Sequence, residues 1–159
     1  MDGFIRTYKL LFAISKGIPV VKKSWLAESE YNKKVSEVDF HWLEYPGDKW
    51  LIREAVRRVK AGERILEGME FFIATGDENL HIPLRKLERL IYNCGGSVIL
   101  FSANIKTKNV FVLIEKNSED ESELKKARSV NKEKVYDVEL VLEGILMQKL
   151  DFEKHKIDI

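Results

Sequence analysis

The sequence is informative first for what it contains little of. One cysteine, Cys94, is present among 159 residues, so no internal disulfide can form, and without companion ligands it is expected to be a small buried apolar group. No apolar run reaches the roughly 18 residues of a membrane span, and the N-terminus has no signal-peptide pattern. The formal charge of +1 argues against attachment to nucleic acid or membrane by bulk charge. These absences predict a protein of the cytosol or nucleus that does not bind membranes.

The motifs of an enzyme are also missing. No glycine-rich phosphate loop follows a predicted strand, no histidine and cysteine cluster has metal-ligand spacing, and no nucleophile has a recognisable base in a motif. The acidic run from Glu119 to Glu123 is typical of a solvated helix N-terminus rather than of a magnesium site. We therefore predict a protein without catalytic residues, metal or cofactor.

The N-terminal stretch RTYKLLFAISKGIPVVKKSWLAES predicts a helix, a strand and a second helix. The run from Leu10 to Ile14 is apolar on too many sides for a surface helix, and Gly17 is its natural end. Residues 18–21 are expected to form a short buried strand, and Ser24 to cap the second helix. The segment is thus half of an alternating α/β unit.

Two cations, Arg6 and Lys9, lie at the start of the first predicted helix. Backbone dipoles already place positive charge there, so a solvated helix would favour Asp or Glu instead. On a helix, the spacing of three residues would put both side chains on roughly one face. This pattern indicates an anion as ligand.

The middle of the chain has a different character. Mixed charges and the Pro46-Gly47 turn predict a linker, followed by a helix that Asp48 caps and Gly62 ends. Its apolar positions recur at helical spacing, at Ile52, Ala55, Val56 and Val59. The opposite face carries Arg53, Arg57, Arg58 and Lys60, which we interpret as solvated, with nucleic-acid contact as the alternative.

From Leu66 onward, strands alternate with helices, which predicts a parallel sheet covered on both faces. Gly95-Gly96 forms a turn, and Pro83 begins the first helix of this region. The predicted strands are 69–74, 97–100, 110–114 and 135–136, and the helices that follow Pro83 are 122–128 and 138–149.

An internal repeat links the two ends of the chain. Placing Ala13 on Ala127 puts Trp25 over Leu140 with one residue inserted, so both ends share a helix, a strand and a helix. The second copy has roughly 55 residues before its matching helix, and the first has only a few. We therefore expect the opening strands of the first copy to be absent from this chain or supplied by another.

These motifs resemble the BRCT family, named for the C-terminus of the breast-cancer susceptibility protein. The Arg-Thr-x-Lys helix start and the Trp-x-x-x-Ser signature at Trp25 and Ser29 resemble the second half of a BRCT domain. Residues 66–159 resemble a complete second repeat, although Leu140 and Gly144 replace its Trp and Ser. The resemblance implies an α/β tandem module, each repeat a four-stranded parallel sheet flanked by helices. Residues 1–32 would be the end of the first repeat, and 33–65 an inter-repeat linker with an amphipathic helix.

Tandem BRCT modules of this type bind phosphoserine or phosphothreonine peptides, and the resemblance implies roles for five residues. Lys9 matches the phosphate-binding lysine. Arg6 matches the arginine that holds the peptide backbone, or a carboxylate at the third residue after the phosphate. The pocket for that third residue would be lined by Leu11, Ile82 and Leu142. The hydroxyl and glycine amide that complete the phosphate site belong to the opening strand of the first repeat.

A second candidate phosphate site lies within the complete repeat, at Thr75 and Gly76. These residues end a predicted strand where phosphate-binding repeats carry a hydroxyl and an amide. The alignment of the two repeats, however, puts Glu123 opposite Lys9, and an acid there disfavours phosphate.

Three functions follow from these patterns. The first is recognition of a phosphorylated nuclear protein in DNA-damage or checkpoint signalling, with a phosphorylated histone tail as one form of partner. The second is a phosphate-independent scaffold that binds a partner protein. The third is binding of DNA ends through the basic residues of the middle helix, which the low net charge disfavours.

Overall fold

The structure is a computed structural model that describes residues 4–33, 41–100 and 109–159. The chain divides into two compact units. Unit 1 runs to Glu63 and includes Leu146–Gln148, and unit 2 comprises Arg64–Ile145 with Lys149–Ile159. The predicted linker includes residues 34–40, which lie outside the described residues. No helix in the described ranges is long and apolar enough to cross a membrane.

The first helix of unit 1, α1 (Tyr8–Ser15), has well-defined ends. At its start, the Thr7 hydroxyl accepts a hydrogen bond from the Leu10 amide at 3.3 Å. At its end, Gly17 adopts φ +66°, and the amides of Gly17 and Ile18 donate to the carbonyls of Ile14 and Ala13. This is a Schellman motif, and it confirms the predicted role of Gly17.

Two further helices in the described part of unit 1 are α2 (Lys23–Asn32) and α3 (Leu51–Lys60). All four apolar positions predicted for α3 are buried, and α3 packs on α1. The predicted cap at Asp48 is wrong, because Trp50 holds the N-cap position of α3 and no side chain caps the helix. Asp48 lies in the turn before α3, where its carboxylate accepts from the Trp50 amide at 3.1 Å and its carbonyl accepts from the Leu51 amide at 3.2 Å.

The prediction of a buried strand at residues 18–21 is wrong. The segment forms one antiparallel bridge, Val21 to Trp42, and Ile18 is 47% exposed. A strand needs a neighbouring ladder to satisfy its backbone groups, and the described part of unit 1 contains no other strand. The local apolar pattern therefore had no sheet to join.

The predicted cap at Ser24 is also wrong. Contacts with residues 41–43 fix the preceding backbone, since the Lys22 amide donates to the His41 carbonyl at 2.6 Å. Helix α2 consequently begins at Lys23, with Lys22 at the N-cap position. Ser24 lies inside the first turn, and its hydroxyl contacts His41 Nδ1 at 3.3 Å.

Unit 2 contains the predicted four-stranded parallel sheet. Its strands are β1 (Glu70–Ile73), β2 (Ser97–Val98), β3 (Phe111–Ile114) and β4 (Val135–Asp137), in the order β2-β1-β3-β4. Every pairing is parallel, with Phe72 opposite Val112 and Leu113 opposite Tyr136. Helices α4 (Leu84–Asn93) and α5 (Glu121–Asn131) connect strands of the sheet, and α6 (Glu139–Met147), most of which belongs to unit 2, follows β4.

The core of unit 2 lies around this sheet. Phe72 and Val112 pack in one cluster with Ala127 of α5. Helix α4, which contacts β2, buries Leu87, Leu90 and Ile91, while α6 buries Leu140, Val141 and Ile145. Alternation of strands and helices thus gives the covered sheet that the sequence predicts.

The Gly95-Gly96 turn connects α4 to β2. Gly95 adopts φ +88°, which side chains disfavour, and a Cβ on Gly96 would lie 2.9 Å from Ile91 Cγ2. The neighbouring Cys94 is buried, as predicted, and burial raises the pKa of its thiol to about 12. Since the thiolate is the reactive form, this cysteine is protected in the folded unit.

The C-terminal segment covers the edge strand β4. The Ile157 amide donates to the Val135 carbonyl at 3.0 Å, and the Asp137 amide to the His155 carbonyl at 2.9 Å. Glu143 of α6 secures the segment by accepting from Lys154 Nζ at 2.6 Å, and it contacts His155 Nε2 at 2.6 Å. The hydrogen bond from Lys154, together with the contact to His155, lowers the pKa of Glu143 by more than burial raises it. The pKa of Glu143 therefore lies below its ordinary value.

Candidate functional site

The start of α1 carries the residues predicted to bind an anion. Lys9 lies in the first turn of α1, with no acidic residue in that turn. Its side chain is exposed, and within the described ranges its ammonium makes no hydrogen bond or ion pair. Lys9 is therefore available to a negatively charged ligand near the positive end of the helix.

Arg6 lies outside α1, one residue before its N-cap. The Thr7 cap starts the helix at Tyr8, so Arg6 precedes α1 and the expectation of a shared helical face is wrong. The Arg6 residue is partly buried. Its part in holding a carboxylate or a peptide backbone stays a prediction.

The three residues assigned to a peptide pocket are all buried. Leu11 of unit 1 is 2% exposed, and in unit 2 Ile82 and Leu142 are 7% and 2% exposed. Their burial shows that they pack within the protein, as apolar residues of these types do. Their assignment to a pocket also stays a prediction.

The second candidate site, at Thr75 and Gly76, follows β1 in unit 2. Thr75 is buried, and its hydroxyl oxygen accepts a hydrogen bond from the Glu115 amide at 2.9 Å. The Gly76 amide donates to Oε1 of Glu123 at 2.7 Å. Both residues are thus engaged by groups of their own unit.

Glu123 is the centre of this second arrangement. Its Oε1 also accepts from Asn79 Nδ2 at 2.9 Å, and its Oε2 accepts from the Ser118 hydroxyl at 2.5 Å. Burial by itself would raise the pKa of Glu123, but these bonds and the Lys126 charge outweigh it, and the pKa lies below its ordinary value. The repeat alignment identified the position of Glu123, but the sequence did not reveal that the carboxylate binds the Gly76 amide.

An acid-lined cavity of about 790 Å³ opens beside this arrangement, near the carboxyl ends of β3 and β4. Across it, His81 Nδ1 contacts Glu115 Oε1 at 2.5 Å, and His81 Nε2 lies 3.3 Å from Glu139 Oε1. No three histidine, cysteine, aspartate or glutamate side chains of the described segments are placed to hold a metal ion.

Asp137 lines the same cavity and is 6% exposed. One carboxylate oxygen accepts from the Glu139 amide at 3.2 Å. Burial raises the pKa of Asp137, and the nearby charges of Glu115 and Glu139 raise it further. Ionisation of Asp137 therefore opposes folding at neutral pH.

We expect Asp137→Asn to increase the free energy of unfolding by about 1 kcal/mol at neutral pH, because it removes the buried charge and keeps an acceptor for the Glu139 amide. The pKa of Asp137 is higher in the folded state than in the unfolded state. The wild type therefore loses stability as the pH rises from the pKa of the unfolded state to the pKa of the folded state. The increase in the free energy of unfolding should therefore vanish at pH values below the ordinary pKa of aspartate.

Urea denaturation across pH measures this effect, with Asp158→Asn at an exposed position as the control. A gain that is the same at acidic and neutral pH would show that burial of the charge is not its cause.

The sheet order, the glycine turn and the helix start of this chain define a class of protein. A family model described as BRCT domain matches residues 64–156, and the chain belongs to this family. The predicted four-stranded parallel sheet flanked by helices is confirmed.

Two proteins of fission yeast are similar to the chain over nearly all its length. The DNA damage response protein Mdb1 of Schizosaccharomyces pombe is 26% identical over 160 residues, which cover 96% of this chain. The chain spans 24% of that relative. The crystal structure of the S. pombe Brc1 BRCT5-BRCT6 domains matches with a TM-score of 0.65 and 20% identity, covering 97% of this chain and 79% of that one. The latter likeness concerns the fold and confirms the predicted tandem BRCT architecture.

Proposed function

We propose that this chain is a tandem BRCT module that recognises phosphoserine or phosphothreonine peptides in the DNA-damage response of the nucleus. The observation that carries the proposal is the Lys9 ammonium, exposed in the first turn of α1 and without an ion pair in the described segments. A phosphate monoester carries about −1.5 to −2 charges and three acceptor oxygens at neutral pH, so a cation beside helix-start amides suits it.

The comparisons support the biological setting. The chain belongs to the BRCT family, and a relative of similar sequence over this region is named as a DNA damage response protein. A phosphorylated chain terminus, such as a histone tail, suits Arg6 because a planar guanidinium can bind a carboxylate through two parallel hydrogen bonds.

The test is a paired peptide screen on the protein. Serine peptides are compared with and without phosphate, and each with a free or an amidated C-terminus at the third residue after the serine. We expect phosphate-dependent binding by calorimetry, and stronger binding of the free carboxylate than of the amide. Equal affinity for phosphorylated and unphosphorylated members of every pair would reject the proposal.

A phosphate-independent scaffold is the second candidate, and an exposed aromatic residue favours it. Trp50 is 47% exposed at the start of α3, with Lys49 Nζ at 4.9 Å and Arg53 Cζ at 5.2 Å from its ring. Exposed tryptophans with neighbouring cations are typical of protein interfaces. Partner binding that survives neutralisation of both Lys9 and Arg6 would favour this candidate.

Binding of DNA ends through α3 receives less support. Arg57 forms an ion pair with Glu54 at 3.1 Å, and Arg58 forms one with Glu63 at 2.7 Å. These pairs reduce the positive charge that α3 offers to phosphates.

A further inference from the structure

Three donors from two loops of unit 2 converge on one carboxylate. Gly76 and Asn79 lie in the same turn after β1, and Ser118 precedes α5. All three donate to Glu123, which is 3% exposed although it lies in the first turn of an exposed helix start. A glutamate buried so fully is unusual unless the surrounding groups satisfy it, as they do here.

The donors are of the kind that hold phosphate in proteins. A backbone amide after a strand, a hydroxyl and a side-chain amide lie together at the N-terminus of α5, an 11-residue helix whose dipole favours negative charge. Lys126 adds a positive charge that lowers the pKa of Glu123. We name the Gly76, Asn79 and Ser118 donors the unit 2 cradle.

The internal repeat shows what differs between the two copies. With Ala13 placed on Ala127, Lys9 falls opposite Glu123. In unit 1 this helical position holds an exposed cation, and in unit 2 it holds a buried anion bonded to its own unit. The charge at this one position therefore distinguishes the start of α1, where Lys9 is exposed, from the start of α5, where the Glu123 carboxylate occupies the donors.

We propose that Glu123 is an internal ligand that fills the unit 2 cradle, an anion site whose donors would otherwise accept a phosphate monoester. The carboxylate occupies the donors and repels a second anion, so phosphate is excluded from unit 2. The inference that the module then holds one phosphate rather than two rests on the proposed function, but the filled cradle itself does not.

The experiment uses Glu123→Ala and inorganic phosphate as the probe, at constant ionic strength. In two-dimensional ¹H–¹⁵N spectra, the Gly76 amide and the Asn79 side-chain signals of the variant should shift saturably. We expect an apparent phosphate affinity at least about fivefold higher than in the wild type, because a charged competitor has been removed.

Glu119→Ala is the matched control, since it removes the same charge from an exposed position of the adjoining loop and should behave like the wild type. Glu123→Lys provides a second variant that should also bind phosphate, and it decides the question if Glu123→Ala loses the native spectrum. Lys9→Met, combined with either variant, should leave the response of Gly76 unchanged, which separates this inference from the proposed function.

Two results would overturn the proposal. One is a Gly76 response to phosphate that is as strong in the wild type or in Glu119→Ala as in Glu123→Ala. The other is a Gly76 amide signal that does not respond to phosphate in any Glu123 variant that retains the native spectrum.

Discussion

Gly96→Val is expected to lower the free energy of unfolding of unit 2 by about 3 kcal/mol, because its side chain has no space. A Cβ at this position would lie 2.9 Å from Ile91 Cγ2, 3.2 Å from Leu66 Cβ and 3.3 Å from Phe71 Cε2. All three neighbours are fully buried, so none can move without disturbing the core.

The chain offers separate probes for its two units. Its three tryptophans, Trp25, Trp42 and Trp50, lie in unit 1, whereas Cys94 lies in unit 2. Thiol labelling of Cys94 in increasing urea should therefore report the loss of unit 2, and tryptophan fluorescence the loss of unit 1. Unfolding must expose the buried thiol before it reacts.

Ser97→Val is the matched control for this prediction. It introduces the same side chain one position later, in the partly exposed strand β2, where a β-branched residue is favoured. Equal stability of the Gly96 and Ser97 variants would show that the turn can open to accept a side chain.

Unit 2 was predictable because its local signals agree with its fold. Pro83, at the N-cap position of α4, and the Gly95-Gly96 pair punctuate the chain where helices begin and end. The apolar runs before Pro83 and after Gly96 form the strands, which lie in one parallel sheet. In such a region the local sequence pattern and the tertiary structure agree, so the sequence alone is enough to predict the fold.

The errors in unit 1 have a different origin. The segment 18–21 has the composition of a strand, but a strand exists only when a neighbour supplies hydrogen bonds. Likewise, the position of Arg6 depends on whether the helix begins before or after Thr7, and the Thr7 hydroxyl decides it. The periodicity of apolar residues predicts neither the missing strand nor the residue at which the helix begins.

The contacts of Glu123 show what only the structure could supply. The carboxylate meets the Gly76 amide across 47 residues of sequence. In sequence, Glu123 belongs to an acidic run that predicts a solvated helix start, and α5 does begin at Glu121. The tertiary fold, however, turns one acid of this run inward to donors on another loop.

Lys9→Met is expected to reduce affinity for a phosphoserine peptide by between about tenfold and a hundredfold, the value of one charge-assisted bond. Methionine keeps much of the length and the helix propensity of lysine, so α1 should remain intact. The Thr7 cap and the Gly17 end of α1 do not involve the Lys9 side chain. The change therefore isolates the charge.

Lys23→Met is the matched control, because Lys23 is also an exposed lysine in the first turn of a helix, α2. Calorimetry with phosphorylated and unphosphorylated forms of one peptide gives a double comparison. If Lys9 binds the phosphate, its removal weakens only the phosphorylated form, and the two affinities converge. A loss of the same size for both forms would instead mean that Lys9 contacts another part of the peptide, and an equal loss in Lys23→Met would mean that only general positive charge matters.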